Sequence, residues 1–487
     1  MKALVLLHRW LGIGFCLLFA MWFASGIVMH FVRFPSLDEA ARFAGLLPID
    51  LSQVLRGPDE AAAASNKGQV RRVRLLQRAD GPVYIASSGS GLVAVHANDL
   101  SDASVKSERL ALDIAQAHAR QRGIEAAHAT LDGVADYDQW SVPNGFDHHR
   151  PLYRVALHDS AGTELYVSST TGEVVLATTL KERVWNYLGS VAHWIYPTLL
   201  RKHATTWDET VWTLSLMAVI AAIAGAVLGI ARLRFSQGRP GSPFRGWHAW
   251  HHILGLLTAT FVLTWIFSGW LSMDDGLLFS RGRLTSEEAA RVGAKPDWRR
   301  LKGNQRLIAS PAKEVEWFAL GNQFYRRERN DLRSQSISAI GSAPGRSPAA
   351  HSFLSAEEVD AFVRPISADC AAPIVVGPRD SYPMISQIPG GPVYRSVCGD
   401  VWFHVDGGTG AMMERLDPSR RSYRWLYSGL HTLDFPVLLD RPRLRDALVV
   451  ILCGLGFVFS VTGAVIAWRR LRVHFLPQAG PTDERAI

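Results

Sequence analysis

Cysteine, acid and enzyme signatures are all scarce in this chain, and each shortage removes a class of function. Four cysteines occur in 487 residues and none sits in C-x-x-C-H, so covalent c-type haem attachment is excluded. No G-x-G-x-x-G opens a helix after a strand, and there is no P-loop, H-E-x-x-H or G-x-S-x-G. Dinucleotide, nucleotide, zinc-protease and serine-hydrolase chemistry therefore have no motif to stand on. Charged residues make up only 20% against 48% hydrophobic, yet mean hydropathy is just +0.06, because long polar segments alternate with apolar runs. The net charge of +8 comes without a basic-aromatic stripe or nucleic-acid motif, so no nucleic-acid partner is implied.

What is there begins with four uncharged apolar runs, Leu11 to Met29, Val211 to Ile230, Ile253 to Met273 and Ala447 to Trp468. Each approaches the ~20 residues that cross a bilayer core. Four membrane helices are predicted, within 1–34, 207–231, 248–274 and 446–469. The first run is too long for a signal-peptide core and lacks an A-x-A exit, so it reads as a retained anchor. The link 232–247 carries Arg232, Arg234, Arg239 and Arg245 with no acid, and the tail 470–487 follows Arg469 with Arg470 and Arg472. The positive-inside rule puts link, tail and both termini in the cytoplasm of a bacterium, with 35–184 and 275–422 outside its inner membrane. Arg441, Arg443 and Arg445 oppose the rule, but long translocated segments are largely exempt and four spans fix the parity.

Histidines recur in register. At an offset of 243 positions His8, Leu11, Gly12, Trp22, Ser25 and Gly26 fall on His251, Leu254, Gly255, Trp265, Ser268 and Gly269. At 238 positions Ser190, His193 and Gly225 fall on Ser428, His431 and Gly463. Two repeated halves packed about an axis along the membrane normal would bring equivalent imidazoles face to face. That is the requirement of a bis-histidine haem in a helix bundle, and ionisable residues at membrane depth are functional suspects. The alternative is histidines that merely anchor helix ends.

His8 and His251 are the inner candidates. His252, about 100° round the helix, and His248, one turn further out, are their rivals. His193 and His431 lie on the interfacial segments 185–206 and 423–445, with Trp185 and Tyr187 in register with Tyr423 and Trp425. They are the outer candidates. His30, whose repeat partner is Met273, is an alternative ligand or a substrate-side residue. It follows His8 by 22 residues, ~33 Å of helix, so a path across the membrane needs two haems, of b type. Haem iron would then be held through His8, His251, His193 and His431. Arg201, Lys202, Arg441 and Arg443 are candidate propionate partners or ordinary interfacial residues. His148 and His149 with Asp138 are a metal or substrate contact, or else solvated or structural like the other histidines of the polar segments.

The polar segments carry strand patterns closed by Thr-Gly turns: Tyr153-Arg154-Val155, Glu164 to Val167 and Thr171 to Val174, then Tyr394 to Ser396, Val401 to Val405 and Thr409 to Met412. Helices are predicted over Ser107 to Arg122 and Ser355 to Arg364, the second with a capping box from Ser355 to Glu358. Each segment reads as a small α+β domain. Ala61 to Lys67 and Ser334 to Ala350 read as flexible insertions, and Trp298 to Arg346 fits no pattern. Cys370 and Cys398, in an oxidising compartment, are candidates for a disulfide, while Cys16 and Cys453 are core residues.

The strand sequence Y-R-V, E-L-Y-V, T-G-E-V resembles a PepSY domain. Leu-His-Arg-Trp-Leu-Gly opening a span before it resembles the PepSY-associated transmembrane proteins. The resemblance implies an α+β membrane protein of four transmembrane helices in two repeated halves, with two extracytoplasmic PepSY-like domains. Members of that family resemble inner-membrane haem proteins, some reducing ferric siderophores imported into the periplasm. It thus implies a di-haem b electron-transfer protein, a membrane ferric reductase, serving a periplasmic ferric chelate. The cytoplasmic parts are too small for a nicotinamide or flavin domain, so the donor is a quinol or a separate redox protein, and the remaining partner is membrane lipid. PepSY domains also occur as inhibitors in protease propeptides, which keeps open a non-catalytic sensor or protease-regulating, peptide-binding module.

Overall fold

The computed structural model describes residues 1–66, 68–236, 239–274, 276–293, 296–309, 311–341, 350–382 and 390–475. Most of the expected cytoplasmic tail therefore lies outside the described residues. The chain divides into two compact units, one of residues 1–34, 184–279 and 422–487, the other of 35–183 and 280–421.

The first unit is helical. Lys2–Phe31, Ala204–Ala231, Trp247–Leu271 and Pro442–Phe475 are long, and each is apolar enough to cross a membrane. Three of them run beyond the apolar stretches of the sequence at both ends and the third helix does so at its start, because no backbone N–H or C=O can be left unpaired at the edge of lipid. The first helix packs against the second and fourth, and so does the third. Phe15, Phe23, Ala218, Val262, Trp265 and Cys453 lie in the centre. A short segment leads into each even-numbered helix, and each contains one π-helical turn, Tyr187–Val191 and Trp425–Gly429, 238 positions apart. Single π turns of this kind concentrate at functional sites.

The second unit is built on antiparallel sheets. Its early strands are β1 (Val70–Arg78), β2 (Gly81–Ser88) and β3 (Gly91–His96), then β4 (Thr130–Ala135), β5 (Leu152–Ala156), β6 (Glu164–Ser168) and β7 (Val174–Thr178). Strands β8 (Arg234–Ser236) and β9 (Arg239–Gly241) form a hairpin in the link of the helical unit. The second segment adds β10 (Glu314–Leu320), β11 (Gln323–Arg329) and β12 (Gln335–Ala339), then β13 (Ile374–Val375), β14 (Val393–Cys398), β15 (Val401–Asp406) and β16 (Met412–Leu416).

Two four-stranded sheets, β4-β5-β6-β7 and β13-β14-β15-β16, include all six strands expected from the Thr-Gly patterns. The helices Glu108–Gln121 and Ala356–Val363 accompany them, the second capped by Ser355 Oγ accepting from Glu358 N while Glu358 Oε2 accepts from Ser355 N. A disulfide joins Cys370 to Cys398.

A third sheet has the order β12-β11-β10-β1-β2-β3, so both polar segments contribute to it. Read from sequence each segment closes a domain of its own; the pairing of β1 with β10, Val73 opposite Trp317, joins them instead. The reason is visible in the alternation of β10. Val315 and Trp317 point into the core, while Glu314 and Glu316 point to the other face and meet Arg72, Arg74, Arg327 and Arg329. Within the unplaced stretch 298–346, residues 314–339 are thus the other half of this sheet, while residues 310 and 342–346 lie outside the described set. Ala61 to Asn66 also departs from expectation, Lys67 lying outside the described residues. Residues Pro58–Ala64 are a helix whose Ala61 and Ala62 are buried, small side chains serving close packing rather than mobility. Of 334–350, part is β12 and residues 342–349 lie outside the described set.

Candidate functional site

His8 on the first helix and His251 on the third face each other with ring centres 6.4 Å apart and planes inclined by 36°. His193 and His431 do the same at 6.2 Å and 65°. The second pair rides on the segments that contain the π turns. Gly189 lets that backbone lie against the first helix, since a Cβ there would meet Val28 Cγ1 at 2.9 Å. Trp22 Nε1 then donates to His193 O at 2.9 Å.

Each of the four rings is anchored at Nδ1. His8 Nδ1 lies 3.2 Å from Ala221 O, which can only accept. His251 Nδ1 lies 2.9 Å from Thr462 Oγ1, whose own proton goes to Phe459 O. His193 Nδ1 lies 3.0 Å from Ser25 Oγ, which donates to Met21 O. His431 Nδ1 lies 3.2 Å from Ser268 Oγ, which donates to Trp265 O, and 3.3 Å from that same carbonyl. In every case the partner's lone pair is what remains to offer, so the proton sits on Nδ1. Each Nε2 is then an unprotonated lone pair, with no hydrogen bond among the described residues.

Two bare nitrogens presented by facing rings ask for a cation between them. Doubling ~2.0 Å for a metal–imidazole bond and ~1.2 Å from ring centre to nitrogen gives about 6.4 Å, close to both separations. An N–H donated to a carbonyl or hydroxyl is also the usual outer partner of a metal-bound histidine. Among the described residues no group of three or more His, Cys, Asp or Glu could hold a metal ion. Haem iron asks for only two protein ligands, its other four being the porphyrin's, so the residues present fit that group.

Glycine backs every ring. A Cβ on Gly225 would stand 2.7 Å from His8 Cε1, on Gly269 3.2 Å from His431 Cε1, on Gly463 3.4 Å from His251 Cε1, and on Gly26 3.6 Å from His193 Cε1. The anchors and glycines were not singled out as site residues, although Ser25, Gly26, Gly225, Ser268, Gly269 and Gly463 are the very positions that mark the sequence offsets. That was the signal available.

The rival histidines are engaged elsewhere. His252 uses both nitrogens, on Ser242 Oγ at 3.0 Å and Gly229 O at 2.9 Å. His248 is exposed. His30 Nε2 is 2.7 Å from Asp446 Oδ1. His193 and His431 stand level with Ser25 and Ser268, 17 residues along from His8 and His251, so the pairs are ~25 Å apart by helix rise rather than the ~33 Å measured to His30. Arg201 lies over Tyr196 and Trp207, while Lys202, Arg441 and Arg443 are exposed. His149 Nδ1 meets Ser168 Oγ, and Asp138 accepts from Ser141 and Tyr166, so these two stabilise a loop, while His148 is exposed.

The sheet unit holds a cavity of about 390 Å³ lined by Arg42, Arg74, Arg327, Arg329, Glu314 and Asp406 among others. Burial pushes the Glu314 carboxyl up, but Arg42, Arg74, Arg327 and Arg329 outweigh it and hold it at about 2. Glu314 accepts from Arg42 and Arg329, and Glu173 from Arg74, so these charges are matched internally.

A family model described as PepSY-associated TM region matches residues 5–470. The chain belongs to this family. Among curated proteins none matches it. The matched stretch includes all four facing histidines and both strand-rich segments.

Proposed function

We propose that this protein is a di-haem b electron carrier of the bacterial inner membrane, built as two repeated halves with PepSY-like outer domains. It passes electrons to a periplasmic ferric chelate such as a ferric siderophore. The observation carrying this reading is that each of the four facing imidazoles has a carbonyl or hydroxyl oxygen at Nδ1, which leaves its Nε2 for a ligand, in two facing sets. Bound there, haem iron supplies a one-electron carrier near each face of the bilayer, and the lack of C-x-x-C-H makes it non-covalent. The chain's own part is to fix ring orientation, exclude water and keep the imidazoles neutral. His8 and His251 form the inner site, His193 and His431 the outer one. A quinol or separate redox protein is the donor.

The arginine-rich link supports cytoplasmic termini, and the shared sheet supports a common side for both polar segments, with two spans between them. A disulfide in the second segment suits an oxidising compartment. The absorption spectrum and haem content of the purified protein test the reading. Two b-type haems per chain are expected, falling to one in His251→Ala and in His193→Ala, with ferric-chelate reduction lost in the latter. A protein that stays colourless when supplied with haem overturns the reading in favour of a peptide-binding or protease-regulating module.

A further inference from the structure

The geometry points to an aromatic path, Phe459–Phe23–Trp265, as the route of the electron between the two histidine pairs; this rests on the two-haem reading above. The Phe459 ring stacks on His251, centres 4.8 Å apart and planes 19° from parallel. It is wedged against Gly255, where a Cβ would stand 3.0 Å from Phe459 Cε2. One turn back on the same helix, Gly456 leaves the space the Phe23 ring fills, since a Cβ there would meet it at 2.7 Å. Phe23 lies 6.1 Å from the Trp265 ring. Trp265 is 3.3 Å from His431 Nδ1 through its carbonyl, and its helix carries Ser268, which anchors that same nitrogen. Phe23 and Trp265 are buried, 4% and 8% exposed.

Among the described residues the repeat-related positions do not rebuild this path. The offsets that match the histidines place Ala221 opposite Phe459 and Ile266 opposite Phe23, and Gly12, opposite Gly255, has open space beside it. Packing alone would be met equally by both halves. A conduit is needed once per molecule, and π systems couple donor to acceptor better than aliphatic contacts. The step is one electron leaving the inner site, which is oxidised, and reaching the outer site, which is reduced. No bond forms or breaks and no proton moves.

The test uses the full chain loaded with haem in nanodiscs, with flash photoreduction by a soluble ruthenium sensitiser and absorbance to follow equilibration between the two haems. Phe23→Leu should slow that equilibration by an order of magnitude or more, Phe23→Tyr should restore it, and Ile266→Phe should leave it unchanged. Haem count, static spectra and the melting of the haem-free protein should match wild type in all three. Two bound haems with a wild-type rate in Phe23→Leu, or an equal slowing in Phe23→Tyr, overturns the path. Should Phe23→Leu lose a haem, Phe459→Leu breaks an independent link and carries the same expectation. A wild-type protein without haem would instead remove the two-haem reading itself.

Discussion

In the helix bundle each facing histidine has a hydroxyl or carbonyl at Nδ1 and no countercharge beside it, whereas in the sheet unit Glu314 alone meets Arg42, Arg74 and Arg329. The difference follows from the surroundings. A charge at membrane depth is expensive, so the four facing rings stand without countercharge and have one nitrogen satisfied each. The other nitrogen stays available, which is what a metal requires. The sheet unit instead buries full charges and neutralises them against one another, a lattice in which Arg42, Arg74 and Arg329 each meet a second carboxylate besides Glu314. Unsatisfied valence marks the place where chemistry happens, and mutual satisfaction marks the place where shape is held.

The widest separation between the two regions should come from Glu314→Ala. It removes one shared carboxylate from Arg42, Arg74 and Arg329, which keep Glu39 and Glu173 as partners, and should cost about 1.5–3 kcal/mol. Denaturant unfolding of the full-length protein in detergent would show this as an early transition of the sheet unit, with the haem spectrum retained. An unshifted transition would mean the lattice holds nothing together. Next is pH. The Glu314 carboxyl is held at about 2 against an ordinary value of 4.5, so its contribution is fully present above about 4.5 and is lost as pH falls through about 2. Stability of the sheet unit should therefore fall steadily over that window, and a melting temperature flat from neutral pH to 3 would contradict it.

In the bundle the effects are smaller and local. Gly225→Ala forces a Cβ within 2.7 Å of His8 Cε1 and should weaken haem binding at the inner site by about 10–100-fold, the usual range when a ligand's support is disturbed. Gly26→Ala, with 3.6 Å of clearance to His193, should bind as wild type. Haem titration of the apoprotein reads both, and equal losses would show that the close glycines are not ring supports. Ser25→Ala sits at the lower end, about tenfold at the outer site, because the His193 tautomer loses its anchor but the ring keeps its pocket. No change there would mean the hydroxyl does not set the tautomer.

Length and hydropathy made the four long helices legible, and offsets of identical residues brought the facing histidines into view before any fold was known. Depth was harder. His193 lies outside every apolar run, so nothing local indicates that a π turn and Gly189 carry it back alongside the first helix to Ser25. The choice between His251 and His252 depended on where Gly229 and Ser242 stand, which a helical wheel does not hold. The common sheet was the largest departure, because strand partnership across the whole chain is a matter of register rather than propensity. Its one trace in the sequence is complementary charge, with Arg72 and Arg74 on β1 against Glu314 and Glu316 on β10.

That pairing also sets a clock on biogenesis. Arg72 and Glu316, bonded at 2.6 Å, are 244 positions apart in the chain. At ordinary rates of synthesis the second partner emerges roughly 10–50 s after the first. Throughout that interval β1 presents an open edge, the kind that recruits wrong partners. It closes only when two further long helices and the second polar segment have been made. A chain made only as far as the second long helix would lack β10 altogether and keep that edge of β1 exposed.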